Sequence, residues 1–429
     1  MTFTKTKTAN YSNEKIRSGQ PFLYREGGIE SMAMDIRMKE NICEKSLQKA
    51  LDTTLQRYPY FTSKFLEKNG DFYLIKNSLP FIVKETSTLQ SLGSDEVNNH
   101  LIDVTFFKQN MYISFHHGLC DGRGILPFIE TLIYYYCCYK YNQILSAPGV
   151  RLASEPLLPN ETVEPLKNSY SVTPETELPK IVKDGFALPE SSKSLGKHNY
   201  YRYEIKIEQS SFMQFAKKNQ ATPAIVMALF VAQAIKKVHP NLEETIIGNL
   251  ASDLRNGIHM ENTFRNCVGS VELPYSSAFE QLTFKEQVYA YRELITEHKS
   301  KESIKNNVNK MIHLFDQVDT LPTFEEKKKM LSFFNDLITN TFVLSYVGQL
   351  KLGECETYID SFYLYGSGTT GLTMEMLAFK DSFTLAFMQS FATEKYIHAL
   401  AEVMKEASLP FTISEQIKFD TPKDSINRN

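Results

Sequence analysis

Tryptophan is absent from this chain of 429 residues, no C-x-x-C pair occurs among its six cysteines, and charge of neither sign dominates. Each absence narrows the field. A net charge of −3 leaves no global positive field to hold nucleic acid or an anionic membrane, so neither partner is expected. Cys43, Cys120, Cys137, Cys138, Cys267 and Cys355 lack paired spacing, and the adjacent Cys137 and Cys138 are poor disulfide partners. Reduced thiols in a cytoplasmic protein are the expectation. The most apolar run, Ile125 to Tyr139, is too short to span a bilayer and contains Glu130, which predicts a buried helix. Met1 to Arg17 is polar, without the apolar core of a secretory signal.

What is present is aromatic mass of another kind, 29 Phe and 23 Tyr, suited to thick cores or to an apolar channel. The length exceeds what one hydrophobic core usually serves, so two lobes are expected. Strand patterns fall at Ser31–Met38, Phe61–Leu66, Phe72–Lys76, Phe81–Lys84, Asp103–Lys108 and Met111–His116. Leu47, Leu51 and Leu55 mark a helix that Pro59 stops, and a second helix follows Gly124. Prolines from Pro148 to Pro189, among many Ser, Thr and Glu, mark an irregular connector. The division is drawn as a first lobe at 1–150, a connector at 151–198 and a second lobe at 199–429. In the second lobe Ser210 is expected to cap one helix, and Thr222-Pro223 to open another. The region 279–340 reads as helical, with strands at 341–347, 361–365, 372–379 and 382–391. Both lobes mix helices with sheet, giving an α/β (α+β) chain.

Gly366-Ser367-Gly368-Thr369-Thr370-Gly371 spells a dinucleotide fingerprint, but the residues after it alternate like a strand. Without a helix N-terminus to receive a pyrophosphate, a hairpin loop is the better reading.

The sharpest pattern is His116-His117-Gly118-Leu119-Cys120-Asp121-Gly122, between an alternating strand and a helix. Neighbours on a strand face opposite ways, so the two histidines serve different sides. One faces structure, and the other is free to face a cleft. An ordinary imidazole titrates near a pKa of about 6.5 and is available as a neutral base at cellular pH. Asp121 is placed to tie the loop to a cation or to backbone N–H groups, and the glycines allow a sharp turn. The residues alone leave other readings open. They are a metal site lacking a third clear ligand, a Cys120 nucleophile lacking a separate orienting group, and a buried structural turn.

The heptad matches H-H-x-x-x-D-G, the signature of condensation domains in nonribosomal peptide synthesis. It is similar to the motif of chloramphenicol acetyltransferase and of the BAHD acyltransferases. The chain looks closest to the stand-alone alcohol-acetyltransferase-like proteins of bacteria. Leu47 to Phe61, with Arg57-Tyr58-Pro59, resembles the family's early helix. Asp253-Leu254-Arg255, with Asn266 and Gly269, resembles its R…N-x-x-G segment, and Ser345-Tyr346-Val347-Gly348 its S-N-x-G position. The resemblance spans about residues 10 to 410.

It implies two chloramphenicol-acetyltransferase-like lobes with a channel between them and the heptad midway along it. It further implies acyl transfer from acyl-CoA or acyl-phosphopantetheine to a hydroxyl or amine of a small molecule, with His117 as general base and no metal or bound cofactor. His116 and Gly122 belong to the same motif. Asp121 is implied to be structural, with Arg255 as its expected partner, and Asn266, Ser345 and Tyr346 are implied as supports. An acyl-carrier protein is a possible donor partner, and a pseudo-dimeric monomer is expected. The BAHD D-F-G-W-G motif is missing, and Tyr346 stands where the family has Asn. That departure motivates the alternative of a non-catalytic protein of the same fold that binds a carrier protein or small ligand.

Overall fold

The computed structural model describes residues 13–24, 31–167, 185–191, 199–337, 340–369 and 371–419. A five-stranded sheet forms the first lobe, in the order Ile359–Gly366, Ser31–Met38, Asn110–His116, Ile102–Phe107 and Lys84–Glu85. Its pairings are antiparallel except the last. Helices Glu44–Arg57 and Gly122–Tyr141 pack on it, burying Leu47 and Leu51 from one and Ile125, Phe128, Ile129 and Leu132 from the other. A smaller sheet joins Glu14–Lys15, Asp71–Lys76 and Ser63–Lys68.

The second lobe is built on an eight-stranded sheet. Its order is Val268–Tyr275, Ile246–Asp253, Phe342–Leu350, Leu372–Phe379, Ser382–Gln389, Tyr200–Glu208 and Phe411–Ile413, with Ile417–Phe419 also paired to Tyr200–Glu208. Alternation sorts its two faces. Phe342 and Leu344, with Leu372, Met374 and Met376, join the core made with helices Pro223–Val238 and Lys395–Glu406. On the other face Leu377 and Phe379 are buried in the first-lobe core, and Val347 packs against it.

The lobes are tied together in several ways. Strand Ile359–Gly366 comes from the second half of the chain yet pairs with Ser31–Met38. Helices Lys301–Asp319 and Phe324–Leu337 send Val318 and Leu331 into the first core. Arg37 bridges Asp35 of its own strand (3.0 Å) and Glu204 of the second sheet (2.6 Å). Residues 146–167 run without helix or strand but are anchored. Glu161 pairs with Arg57 at 2.7 Å, both buried, and Glu164 accepts from the Ser18 amide at 3.1 Å.

Two local expectations are corrected. The helix assigned a Ser210 cap spans Gln209–Lys218 and starts after Glu208, with no side-chain cap bond. The strand expected at Phe81–Lys84 is cut to Lys84–Glu85, because the Gln48 side chain occupies the earlier backbone groups. It donates to the Phe81 carbonyl (3.0 Å) and accepts from the Val83 amide (2.9 Å). The six cysteines are free thiols. Among the described residues no single helix is long and apolar enough to cross a membrane.

Candidate active site at the junction of the lobes

The strand Asn110–His116 delivers the heptad to the junction, and helix Gly122–Tyr141 leaves from it. The turn between them is held by its own side chains. His116 is fully buried, its Nδ1 accepting from the Gly118 amide at 2.8 Å and its ring edge-on to Phe65 at 4.9 Å. Burial, and then the neighbouring His117, push its pKa down to about 3. It is a neutral structural imidazole.

Asp121 is the N-cap of the long helix. Its Oδ1 accepts from the Gly124 amide (2.7 Å) and from Arg255 Nη2 (2.8 Å), and its Oδ2 from the Cys267 amide (2.8 Å). Arg255, 2% exposed, also donates to the Thr263 and Arg265 carbonyls and to Asp253. Burial is the largest single influence and would lower its pKa, but the charge and hydrogen bond of Asp121, with Cys267 and Asp253, together raise it. The pair therefore clamps the first-lobe turn to the second lobe and leaves neither Asp121 oxygen for proton transfer. Gly124 allows the approach, since a Cβ there would lie 2.0 Å from the Phe264 carbonyl oxygen.

His117 is half-buried. Phe22 stacks on its ring, with centroids 4.3 Å apart and planes 18° apart, and Phe115 meets it edge-on at 6.0 Å. Asn266 orders the other side. Its Oδ1 accepts from the Val268 amide (3.0 Å), which turns Nδ2 to donate to the His117 carbonyl (3.3 Å), with ring Nδ1 3.4 Å away. Among the described residues Nε2 has no hydrogen-bond partner. Burial lowers the His117 pKa to about 4, against the opposing charge of Asp121 and a hydrogen bond with the Cys120 backbone. The ring is thus neutral near pH 7, with one nitrogen held and the other unbonded. Cys120 is fully buried and its thiol is pushed up by that burial, so it supplies no thiolate here.

The remaining sequence candidates separate. Gly122 opens the helix, and a Cβ on it would meet Val347 at 4.0 Å, which brings strand Phe342–Leu350 beside the heptad. Ser345 shares the face of Val347. Tyr346 points the other way, into the helix-covered core, 6.2 Å from Phe383. A register shift follows Tyr346, and Gly348 takes φ +105° in it, a bulge that re-aims the strand next to the heptad. Gly366 ends one strand and Gly371 precedes another, with no helix opening at the glycine-rich loop among the described residues. Phe22 was not among the sequence candidates, since nothing local to residue 22 announces a contact nearly a hundred residues away.

No protein-family model matches the sequence, and no curated protein matches it. Solved structures do match. Polyketide synthase associated protein 5 from Mycobacterium tuberculosis gives a TM-score of 0.63 at 12% identity, over 94% of this chain and 99% of that one. The first condensation domain of the CDA synthetase gives 0.59 at 10% identity, over 94% and 96%. F. graminearum TRI101, complexed with coenzyme A and deoxynivalenol, gives 0.58 at 9% identity, over 93% and 99%.

Proposed function

From a chain that has the two-lobed fold of condensation domains and chloramphenicol-acetyltransferase-like acyltransferases, we propose an acyltransferase that moves an acyl group from a thioester to a hydroxyl or amine. His117 is its general base. The observation that carries this reading is the neutral, half-buried imidazole with Nε2 unbonded, held where the two lobes meet.

The chemistry follows from that ring. With the ring's own proton on Nδ1, the Nε2 lone pair takes the proton of the acceptor O–H or N–H as the nucleophile attacks the thioester carbonyl. A C–O or C–N bond forms and a tetrahedral oxyanion develops. Its collapse breaks the C–S bond, and the departing thiolate takes the proton back from the imidazolium. No covalent acyl-enzyme is needed. Asp121 and Arg255 act by fixing the turn, not by touching the reacting atoms. Coenzyme A is the favoured carrier of the donor, because TRI101, a neighbour in fold, is complexed with it. All of these groups come from one chain, so the reading needs no second copy.

The test is thiol release and product formation from acetyl-CoA and longer acyl-CoA thioesters with a panel of alcohols and amines. His117→Ala should lose about 100- to 10,000-fold in rate. Unchanged turnover in that variant would end the general-base reading. Tight ligand or carrier-protein binding without wild-type turnover would favour the non-catalytic alternative.

A further inference from the structure

One buried carboxyl lacks a countercharge. Glu375 lies in the middle of strand Leu372–Phe379, directly opposite Ser345 on strand Phe342–Leu350. It is 5% exposed, and its Oε2 has no hydrogen-bond partner. Burial raises its pKa to about 7, with a side-chain contact to Ser345 the only opposing influence. Further along this sheet the cations are committed elsewhere, Arg202 to Glu204, and Arg37, reaching over from the first-lobe sheet, to Asp35 and Glu204.

Its place in the sheet directs it toward the lobe junction. Met374 and Met376 on either side are buried in the helix-covered core, so Glu375 faces the other way, as Leu377 and Phe379 do. Ser345 shares that face with Val347, the residue beside Gly122 of the heptad. Ser345 is half-buried, as are Val343 and Val347 along its strand and Asn249 on the next. Glu272, opposite Asn249, is half-buried, its side chain has no hydrogen bond or ion pair among the described residues, and its carboxyl is also pushed up by burial. The face thus carries carboxyls and neutral polar groups, and Glu375, beside Ser345 in the sheet interior, keeps one oxygen without a partner.

A buried carboxyl in apolar surroundings stays neutral until a cation arrives, because the lone charge is too costly there. A ligand ammonium would supply the missing charge and a donor for Oε2 together. We propose that Ser345 and Glu375 form a subsite for a positively charged amino group of the acceptor. The substrate class is then an amino alcohol or diamine, whose ammonium is held here while its nucleophile meets His117. The meeting of that nucleophile with His117 rests on the acyl-transfer reading; the ammonium subsite does not.

Calorimetry with aminoethanol, aminobutanol, aminohexanol and aminooctanol, each against the alkanol of the same carbon skeleton, tests it on the intact protein. The wild type should bind the best-fitting amino alcohol about tenfold or more tighter than its alkanol. Glu375→Gln should bring the ratio near one. Near pH 7, wild-type binding should also release a proton, seen as a dependence of the heat on buffer ionisation, as the carboxyl gives up its hydrogen to meet the cation. That readout needs no variant. Equal binding of amino alcohol and alkanol, or no proton release, overturns the subsite. Acyl transfer with no preference for amino alcohols overturns the subsite alone. Preferential binding with no transfer from acetyl-CoA leaves the subsite standing and removes the acyltransferase reading.

Discussion

A histidine kept neutral by burial titrates below its ordinary range, and for His117 this sets a kinetic expectation. With its pKa lowered to about 4, the imidazole remains a base well into acid. The acid limb of kcat/KM should therefore bend near pH 4 to 5 and not near the ordinary 6.5. Short assays after a pH jump, before acid unfolding, would show it, and a limb at 6.5 would mean that the ring is solvated in the working enzyme. Arg255 carries a different expectation. Its removal leaves the Asp121 carboxylate buried with only two amide donors. Arg255→Met should cost about 3–5 kcal/mol of stability, as breaking a buried pair typically does, measured by urea unfolding. A loss below about 1 kcal/mol would mean that the clamp is dispensable.

At the scale of elements, the glycine at the start of the long helix joins local propensity to lobe contact. Gly124→Ala would ordinarily gain helix stability of up to about 1 kcal/mol. Here the added methyl meets the Phe264 carbonyl, so a net loss of about 1–3 kcal/mol is expected, again by urea unfolding. A gain would mean that the lobes yield easily at that contact. The elements also show what sequence carries. Ser31–Met38 and Leu372–Phe379 are strands over the limits that their composition suggests, and the helix run at 125–139 is Gly122–Tyr141. Val268–Tyr275 was missed because Glu272 and Pro274 break the apolar pattern. That strand lies at the edge of its sheet, where a proline costs no ladder bond. In the candidate site the heptad was legible because its residues are contiguous, and Arg255 because a family pattern pointed to it. Phe22 and Glu375 were not, since a stacked ring and an unpartnered carboxyl are products of tertiary contact.

For the whole molecule, the buried titratable groups pull stability in opposite directions between about pH 4 and 6.5. His116 and His117 resist protonation in the fold, with pKa values lowered to about 3 and about 4. Unfolding lets them take up protons below about 6.5, so they remove stability as pH falls through that window. Asp103, Glu130 and Glu375 act the other way. Burial raises them to about 6, about 7 and about 7, so the fold holds protons that the unfolded chain releases, and stability is lost as pH rises through the same range. The two sets offset one another, and the wild type should show only a shallow dependence of unfolding free energy on pH there. Removing one acid should tip that balance toward the histidines. Asp103 is the suitable choice, 3% exposed on strand Ile102–Phe107 opposite Ser114 and outside the heptad, with burial outweighing the opposing charge of Lys84 and a hydrogen bond from the Val104 backbone. Asp103→Asn keeps the shape and deletes one proton held by the fold. Between pH 4.5 and 5.5 the slope of its stability against pH should therefore be more positive than that of the wild type, by up to about 1.4 kcal/mol per pH unit. Parallel urea titrations of the two proteins at those pH values measure the difference, and identical slopes would show that Asp103 titrates alike in the folded and unfolded chain.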